Sequence, residues 1–362
     1  MKPLHGIFVL NKDALALTYG AQEMADIARH VQMVAEPLTA ELLSRRLGLL
    51  ADVDVILSGW GGPRLSERLL AAAPKLRAFF YAAGSLSSIL CDAVWKRDLV
   101  VTSAVEANAA PVAEYTLASI LFSLKHGFRF AREVREQRTF DPLKRDDAPG
   151  NYGSVVGLVS LGTIGRKVLQ LLKPFDLKVI VYDPYLRDED AQDLGVERVD
   201  LQGLFERSDV VSLHAPQLAE TDGMITEKHF RAMKIGATFI NTARAAIVRQ
   251  DEMLLVAAAR PDLQFVLDVT DPEPPEQSSP LYWLPNVILT PHIAGSAGRE
   301  CRRMGRYMVE ELERFVAGKP LKWVVSPDKI SNTSHRPYFL TEEARPKVTV
   351  SVTPAAQRPV KA

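Results

Sequence analysis

Short apolar runs alternate with segments of helical periodicity along most of the chain, the pattern of parallel strands joined by helical crossovers. In the first part the runs fall near Gly6 to Leu10, Val31 to Val34, Val53 to Ser58, Arg77 to Tyr81 and Val100 to Thr102. Helical spacing lies between them, around Ala21 to His30, Thr39 to Arg46 and Ser66 to Ala73. These segments predict a small doubly wound α/β domain without a glycine fingerprint of its own. A long helical stretch is expected from Pro111 through Glu136, with Pro111 in its first turn and Val112, Tyr115, Leu117, Ile120, Leu121 and Leu124 on its apolar face. The alternation then resumes with six runs near Val155, Val179, Val210, Thr238, Phe265 and Val287, the number a complete dinucleotide-binding sheet needs. A helix from Gly298 to Val316 stops at Gly318, and Leu321 to Val325 reads as one more strand. From about Ser331 the periodicity gives way to a tail rich in Pro, Thr, Lys and Arg, with TVSV near Val348 its one strand-like piece.

The segment GSVVGLVSLGTIGRKVLQLL followed by KVIVYDPY carries the first chemistry. A strand runs into a turn holding Gly162 and Gly165, an amphipathic helix follows, and a second strand ends at Asp183. Strand, turn, helix, strand and terminal acid are in the register of a dinucleotide fingerprint, whose acid stands about twenty residues beyond the glycines. Gly162 lets the backbone approach a pyrophosphate at the helix N-terminus, and Gly165 lets helix and strand pack closely. Asp183 accepts hydrogen bonds from ribose hydroxyls and repels a 2′-phosphate, which favours NAD over NADP. Ser160 replaces the first glycine, so the turn is expected in backbone angles open to ordinary residues.

In the last third, Arg244, Glu273 and His292 each stand just past an apolar run, where an open parallel sheet builds its active site. A carboxylate holds an imidazole protonated, the imidazole exchanges a proton with a substrate oxygen, and a guanidinium grips a carboxylate or polarises a carbonyl. The competing reading for each residue singly is an ion pair or cap at a strand end.

Several segments together resemble the D-isomer-specific 2-hydroxyacid dehydrogenases: Asn241-Thr242-Ala243-Arg244, Asp268-Val269 with Asp271-Pro272-Glu273-Pro274, and Leu289-Thr290-Pro291-His292-Ile293-Ala294-Gly295. Leu213-His214-Ala215-Pro216, Gly162-Thr163-Ile164-Gly165 and Val112-Ala113-Glu114-Tyr115-Thr116-Leu117 add to it, over roughly residues 50 to 325. The resemblance implies two doubly wound parallel-sheet domains, a Rossmann-type NAD-binding domain (109–296) inserted into a discontinuous flavodoxin-like substrate domain (1–108 with 297–330), a tail (331–362) and a homodimer. It implies His292 as general acid/base, Glu273 as its partner and Arg244 as the ligand of the substrate carboxylate and C2 oxygen. Gly162, Thr163, Ile164, Asp183, His214, Ala215, Pro216, Thr242, Ala243, Asp268 and His292 would line the NAD site, while Ala83, Gly84, Ser85 and Asn108 would join Arg244 around the substrate. Ala245 stands where relatives usually have glycine, and no Asp follows the Gly84 turn.

Composition narrows the picture by exclusion. Lys plus Arg (44) equals Asp plus Glu (44), so no net charge draws the chain to nucleic acid or an anionic membrane. No apolar run approaches the ~18 residues of a membrane span, and two cysteines, Cys91 and Cys301, fit buried thiols in a reducing compartment. A soluble cytoplasmic protein is expected. His5, His30, His126, His229 and His335 lack paired ligand spacing, so no metal site is expected. Arg129, Arg132, Arg135 and Arg138 read as a solvated or subunit-facing stripe, and Trp60 as a packing residue with a pocket wall as the alternative. The activity expected is NAD-dependent interconversion of a small D-2-hydroxy acid and its 2-keto acid. A dinucleotide-sensing scaffold or corepressor on the same fold is the rival, because fold does not dictate function.

Overall fold

A computed structural model of the chain describes residues 3–140 and 148–326. The chain divides into two units, which among the described residues comprise 3–112 with 295–326, and 113–294 without 141–147.

The first unit holds β1 (Leu4–Val9), β2 (Val31–Met33), β3 (Val55–Ser58), β4 (Ala78–Tyr81) and β5 (Val100–Ser103) in the order β2-β1-β3-β4-β5. Every pairing is parallel, and the order is that of a flavodoxin-like doubly wound sheet. All four residues of β3 and of β4 are buried, which is why these strands read as continuous apolar runs rather than alternating ones. Alternation survives in which core each residue joins. Ile7, Val9, Ile56, Phe79 and Tyr81 pack on one face, while Phe8, Val55, Leu57, Ala78 and Phe80 pack on the other against the helix Cys301–Val316. Gly305 lets that helix lie on the Thr18 carbonyl, where a Cβ would collide. The end of the chain's described part therefore completes the core begun at its start.

Leu321 to Val325 is not a strand. Only Val324 bridges to Thr102, antiparallel. Ser103 N donates to Trp323 O and Val325 N to Val101 O, but the Trp323 N–H that the next rung would need donates to Glu311 at 3.0 Å, as does that of Lys322.

The second unit holds β6 (Val155–Val159), β7 (Lys178–Tyr182), β8 (Glu197–Arg198), β9 (Val210–Leu213), β10 (Thr238–Asn241), β11 (Gln264–Leu267) and β12 (Val287–Leu289). Their order, β12-β11-β10-β9-β6-β7-β8, is a parallel sheet that reverses direction between β6 and β9, the switch point at which such sheets bind ligands. The seventh strand, β8, has two exposed residues, too few to leave a pattern. Phe205, Phe230, Phe239 and Phe265 fill one face with edge-to-face and stacked rings, and Val156, Leu158, Val181, Ile240 and Val266 fill the other.

The expected long helix is two helices, Val105–Ser123 and Gly127–Gln137. The first begins where Ser103 Oγ accepts the Val105 N–H at 3.2 Å, so Pro111 lies inside it and not in its first turn. The break falls at His126, whose φ of 49° is left-handed and whose buried Nε2 donates to Gly236 O at 3.0 Å. A buried ring partner outweighs the helical continuation that apolar spacing suggested. The arginine stripe lies on the second helix, where Arg129 faces Glu133 and Arg132 faces Glu136 along one side. The tail from 331, with its TVSV segment, lies outside the described residues.

Candidate active site

Arg244, Glu273 and His292 belong to the second unit and follow β10, β11 and β12 at the carboxyl edge of the sheet. His292 Nδ1 lies 2.7 Å from Glu273 Oε1. The carboxylate oxygen accepts in this contact, so Nδ1 carries the hydrogen and Nε2 is the ring nitrogen turned away from Glu273. Both side chains are close to half exposed, at 45% and 44%, so the pair is reachable from solvent. Arg244 is half-buried, and desolvation pulls its guanidinium below the ordinary value while the Glu273 carboxylate pushes the other way. Glu273 thus acts electrostatically on the guanidinium while hydrogen-bonding the imidazole.

Backbone geometry holds these groups. His292 has a φ of 54°, a left-handed conformation that costs a non-glycine residue about 1–3 kcal/mol. Asp268, 2% exposed, fixes the loop: its Oδ1 accepts from Thr290 Oγ1 at 2.6 Å and from Ile293 N at 2.8 Å, and its Oδ2 from Ala294 N at 2.8 Å. Tyr115 Oη meets Thr290 Oγ1 at 3.0 Å, and Thr116 Oγ1 meets Thr242 Oγ1 at 3.2 Å. Adjacent residues of one helix therefore reach the threonine two residues before Arg244 and the threonine two residues before His292. Around Arg244, Asn241 Oδ1 accepts Ala243 N at 3.0 Å and its Nδ2 donates to Arg244 O at 3.2 Å, a side chain closing the turn. Ala245 opens a short 3₁₀ turn with helical angles that alanine adopts freely. Gln250 brackets the Asp271 peptide from both sides, through 2.6 and 3.1 Å bonds.

Thr290, Tyr115, Thr116, Asn241 and Gln250 were absent from the residues expected at the site. The repeated Thr-x-Arg and Thr-x-His spacing was the available signal for the threonines. Asp268, expected to touch the cofactor, directs its carboxylate at the His292 loop.

At the switch point, Gly162 caps the helix Thr163–Leu172, with open space where its Cβ would be. A Cβ on Gly165 would run into the Ser160 carbonyl, so glycine is required for close packing. The expectation for Ser160 fails: its φ is 80°, left-handed, so a serine occupies the backbone conformation glycine usually supplies. Its N–H donates to Tyr182 O at 2.7 Å, which fixes the strained turn to β7. Asp183, 9% exposed, accepts from Leu161 N at 2.8 Å, Tyr185 N at 2.8 Å and Ser160 Oγ at 3.3 Å. His214 follows β9 directly, is 7% exposed, and neither of its ring nitrogens has a hydrogen-bond partner. Burial lowers its pKa to about 3, so the ring is neutral. Ala215 is buried beside it, with Pro216 next. A buried imidazole without a partner, its Cβ 3.6 Å from where a Gly165 Cβ would lie in the first turn of the helix, fits a dinucleotide: backbone N–H groups for its diphosphate, Asp183 for its ribose.

Ala83, Gly84, Ser85 and Asn108 lie in the first unit. Ser103 Oγ donates to Ala83 O at 3.1 Å and Gly84 O at 2.8 Å. Across trans peptides the N–H groups of Gly84 and Ser85 point the opposite way. Asn108 Oδ1 accepts Ser296 N at 2.9 Å, and its Nδ2 stands 3.3 Å from where a Gly84 Cβ would be. Trp60 packs against both cores of its unit, the packing role expected first. Among the described residues no group of three or more His, Cys, Asp or Glu side chains is placed to hold a metal ion.

The reversed parallel sheet, the glycine turn and the acid ending the second strand define a dinucleotide-binding α/β protein. Residues 117–294 match the family model described as D-isomer specific 2-hydroxyacid dehydrogenase, NAD binding domain. The chain is 31% identical over 271 residues to a glyoxylate reductase of Korarchaeum cryptofilum, an alignment covering 74% of this chain and 81% of that protein. With a D-3-phosphoglycerate dehydrogenase of Archaeoglobus fulgidus it shares 28% identity over 311 residues, 81% of this chain and 59% of that longer protein. The apo structure of D-mandelate dehydrogenase from Rhodotorula graminis superposes with a TM-score of 0.74 at 26% identity, covering 90% of this chain and 98% of that one. The chain belongs to the D-isomer-specific 2-hydroxyacid dehydrogenase family.

Proposed function

We propose that the protein interconverts a small D-2-hydroxy acid and its 2-keto acid with NAD, Arg244, Glu273 and His292 being its catalytic residues. The 2.7 Å contact between His292 Nδ1 and Glu273 Oε1, within electrostatic reach of the half-buried Arg244, carries this reading. When bound, NAD supplies or accepts the hydride at C2. His292 Nε2 gives a proton to the C2 oxygen during reduction and takes it back during oxidation, while Glu273 stabilises the imidazolium. Arg244 engages the substrate carboxylate and polarises the C2 carbonyl, a task suited to a planar fork of donors. Gly162, Thr163 and Ile164 offer the diphosphate a helix N-terminus, and Asp183 receives the ribose hydroxyls. His214, Ala215, Pro216, Thr242 and Ala243 line the same site, with His214 a neutral hydrogen-bonding partner for the cofactor.

A homodimer accords with the apolar side chains left exposed in the second unit, Phe122 at 46% and Phe140 at 69% among them. The free thiols of Cys91 and Cys301 accord with a reducing compartment such as the cytoplasm. The names of relatives point to glyoxylate and to phosphorylated or aromatic 2-hydroxy acids as the range to test, with hydroxypyruvate as a further small member. NADH oxidation, followed by absorbance, is measured with glyoxylate, hydroxypyruvate, pyruvate and 2-keto acids of increasing size. Turnover with any of them is expected. Tight NADH binding without turnover across the panel would replace the enzyme by a dinucleotide-sensing scaffold.

A further inference from the structure

We propose that Ser160 is a second hydrogen-bond acceptor in the adenosine-ribose subsite and that it sharpens the preference for NADH over NADPH. This rests on the NAD-binding reading of the Gly162 turn. Ser160 is half-buried, and its hydroxyl lies 3.3 Å from the carboxylate that the NAD reading assigns to the ribose. A hydroxyl has one proton and two lone pairs, and here the proton is donated to Asp183 Oδ2 at 3.3 Å. While that bond is kept, what it offers a ligand is lone pairs, beside a carboxylate that also accepts.

Ribose 2′- and 3′-hydroxyls bring protons to such a surface. A 2′-phosphate brings acceptor oxygens and negative charge, and meets no donor from these two side chains. Of the guanidiniums on the flanking segments, Arg187 is engaged by Asp190 through two bonds of 2.8 Å, and Arg166 lies within electrostatic reach of the same carboxylate. Glycine would adopt the 80° φ of this position without strain and without a hydroxyl. The serine keeps the strained conformation and adds an acceptor, so the discrimination resides in the side chain and the strain in the backbone.

Two variants separate those contributions. Ser160→Ala removes the hydroxyl and keeps the strained Cβ; Ser160→Gly removes both. Dissociation constants for NADH and for NADPH are measured by calorimetric titration of the full chain, with thermal melting of each apoprotein alongside. In both variants NADH affinity is expected to fall about 3- to 10-fold, the loss of one ribose hydrogen bond, with NADPH affinity unchanged. The melting temperature should be lower for Ser160→Ala than for Ser160→Gly. An NADPH-to-NADH ratio that stays the same or widens in both variants overturns the proposal while leaving the dinucleotide site intact. A wild-type protein that binds neither nucleotide overturns the site reading and this proposal together.

Discussion

Thr290 donates a 2.6 Å hydrogen bond to Asp268, and through that bond the loop carrying His292 is fastened to the end of the neighbouring strand. The same carboxylate accepts the N–H groups of Ile293 and Ala294, one residue and two residues beyond the imidazole. A left-handed φ at His292 persists because its flanks are held on both sides.

Thr290→Val removes the donor and leaves Asp268 and Tyr115 each short of a partner. The imidazole then loses its fixed aim, and a displacement of about 1 Å costs up to about 10²-fold in rate. We expect kcat for keto-acid reduction to fall about 10- to 10²-fold with NADH affinity within about 3-fold of wild type, and Thr290→Ser to restore most of the loss. Steady-state kinetics and NADH titration of both variants check this. Equal kcat in wild type and Thr290→Val would show that the hydroxyl bonds do not position the catalytic ring.

Arg244→Lys keeps a positive charge but loses the two-pronged geometry that matches a carboxylate. The expected result is a KM for the keto acid raised at least about 10-fold, with a lower kcat because the carbonyl is less well polarised. Measuring both parameters separates grip from chemistry. A lysine variant with wild-type KM would remove Arg244 from the substrate site.

His214 sets a pH dependence of stability. Its folded pKa is about 3 against 6.5 for an ordinary imidazole, so between those values the unfolded chain binds a proton that the native ring refuses. Stability therefore falls as pH drops from 6.5 toward 3, by about 1.4 kcal/mol for each unit of depression traversed. His229, also lowered mainly by burial, contributes in the same direction. Urea midpoints at neutral pH and near pH 4.5 should converge in His214→Asn relative to wild type, with His229 and other groups leaving a residual difference. Identical acid sensitivity in both proteins would mean the ring is solvated in the native state.

Most of the architecture was legible because parallel strands buried on both faces announce themselves as apolar runs, and eleven of those runs became strands of two parallel sheets. The exceptions have local physical causes. Leu321 to Val325 reads apolar, yet Glu311 captures the N–H groups of Lys322 and Trp323. The helix expected through Glu136 breaks because His126 turns its ring inward to Gly236. At the site, charged residues at strand ends could be found from spacing, since a sheet edge brings together what the sequence separates. The hydroxyl bonds behind them could not, because Tyr115 and Thr290 stand 175 positions apart and look like an apolar-face tyrosine and a turn threonine. At Ser160 the cause is the backbone itself, because a small polar side chain conceals a left-handed conformation.

The central claim is that the imidazole held by Glu273 delivers the proton to the keto oxygen. It is tested most directly by kcat for reduction of the best keto acid at saturating NADH in wild type and His292→Ala. A loss of about 10²- to 10⁴-fold in kcat, with the NADH dissociation constant retained, is the predicted result. Turnover within a few-fold of wild type would contradict it, whatever else the site contains.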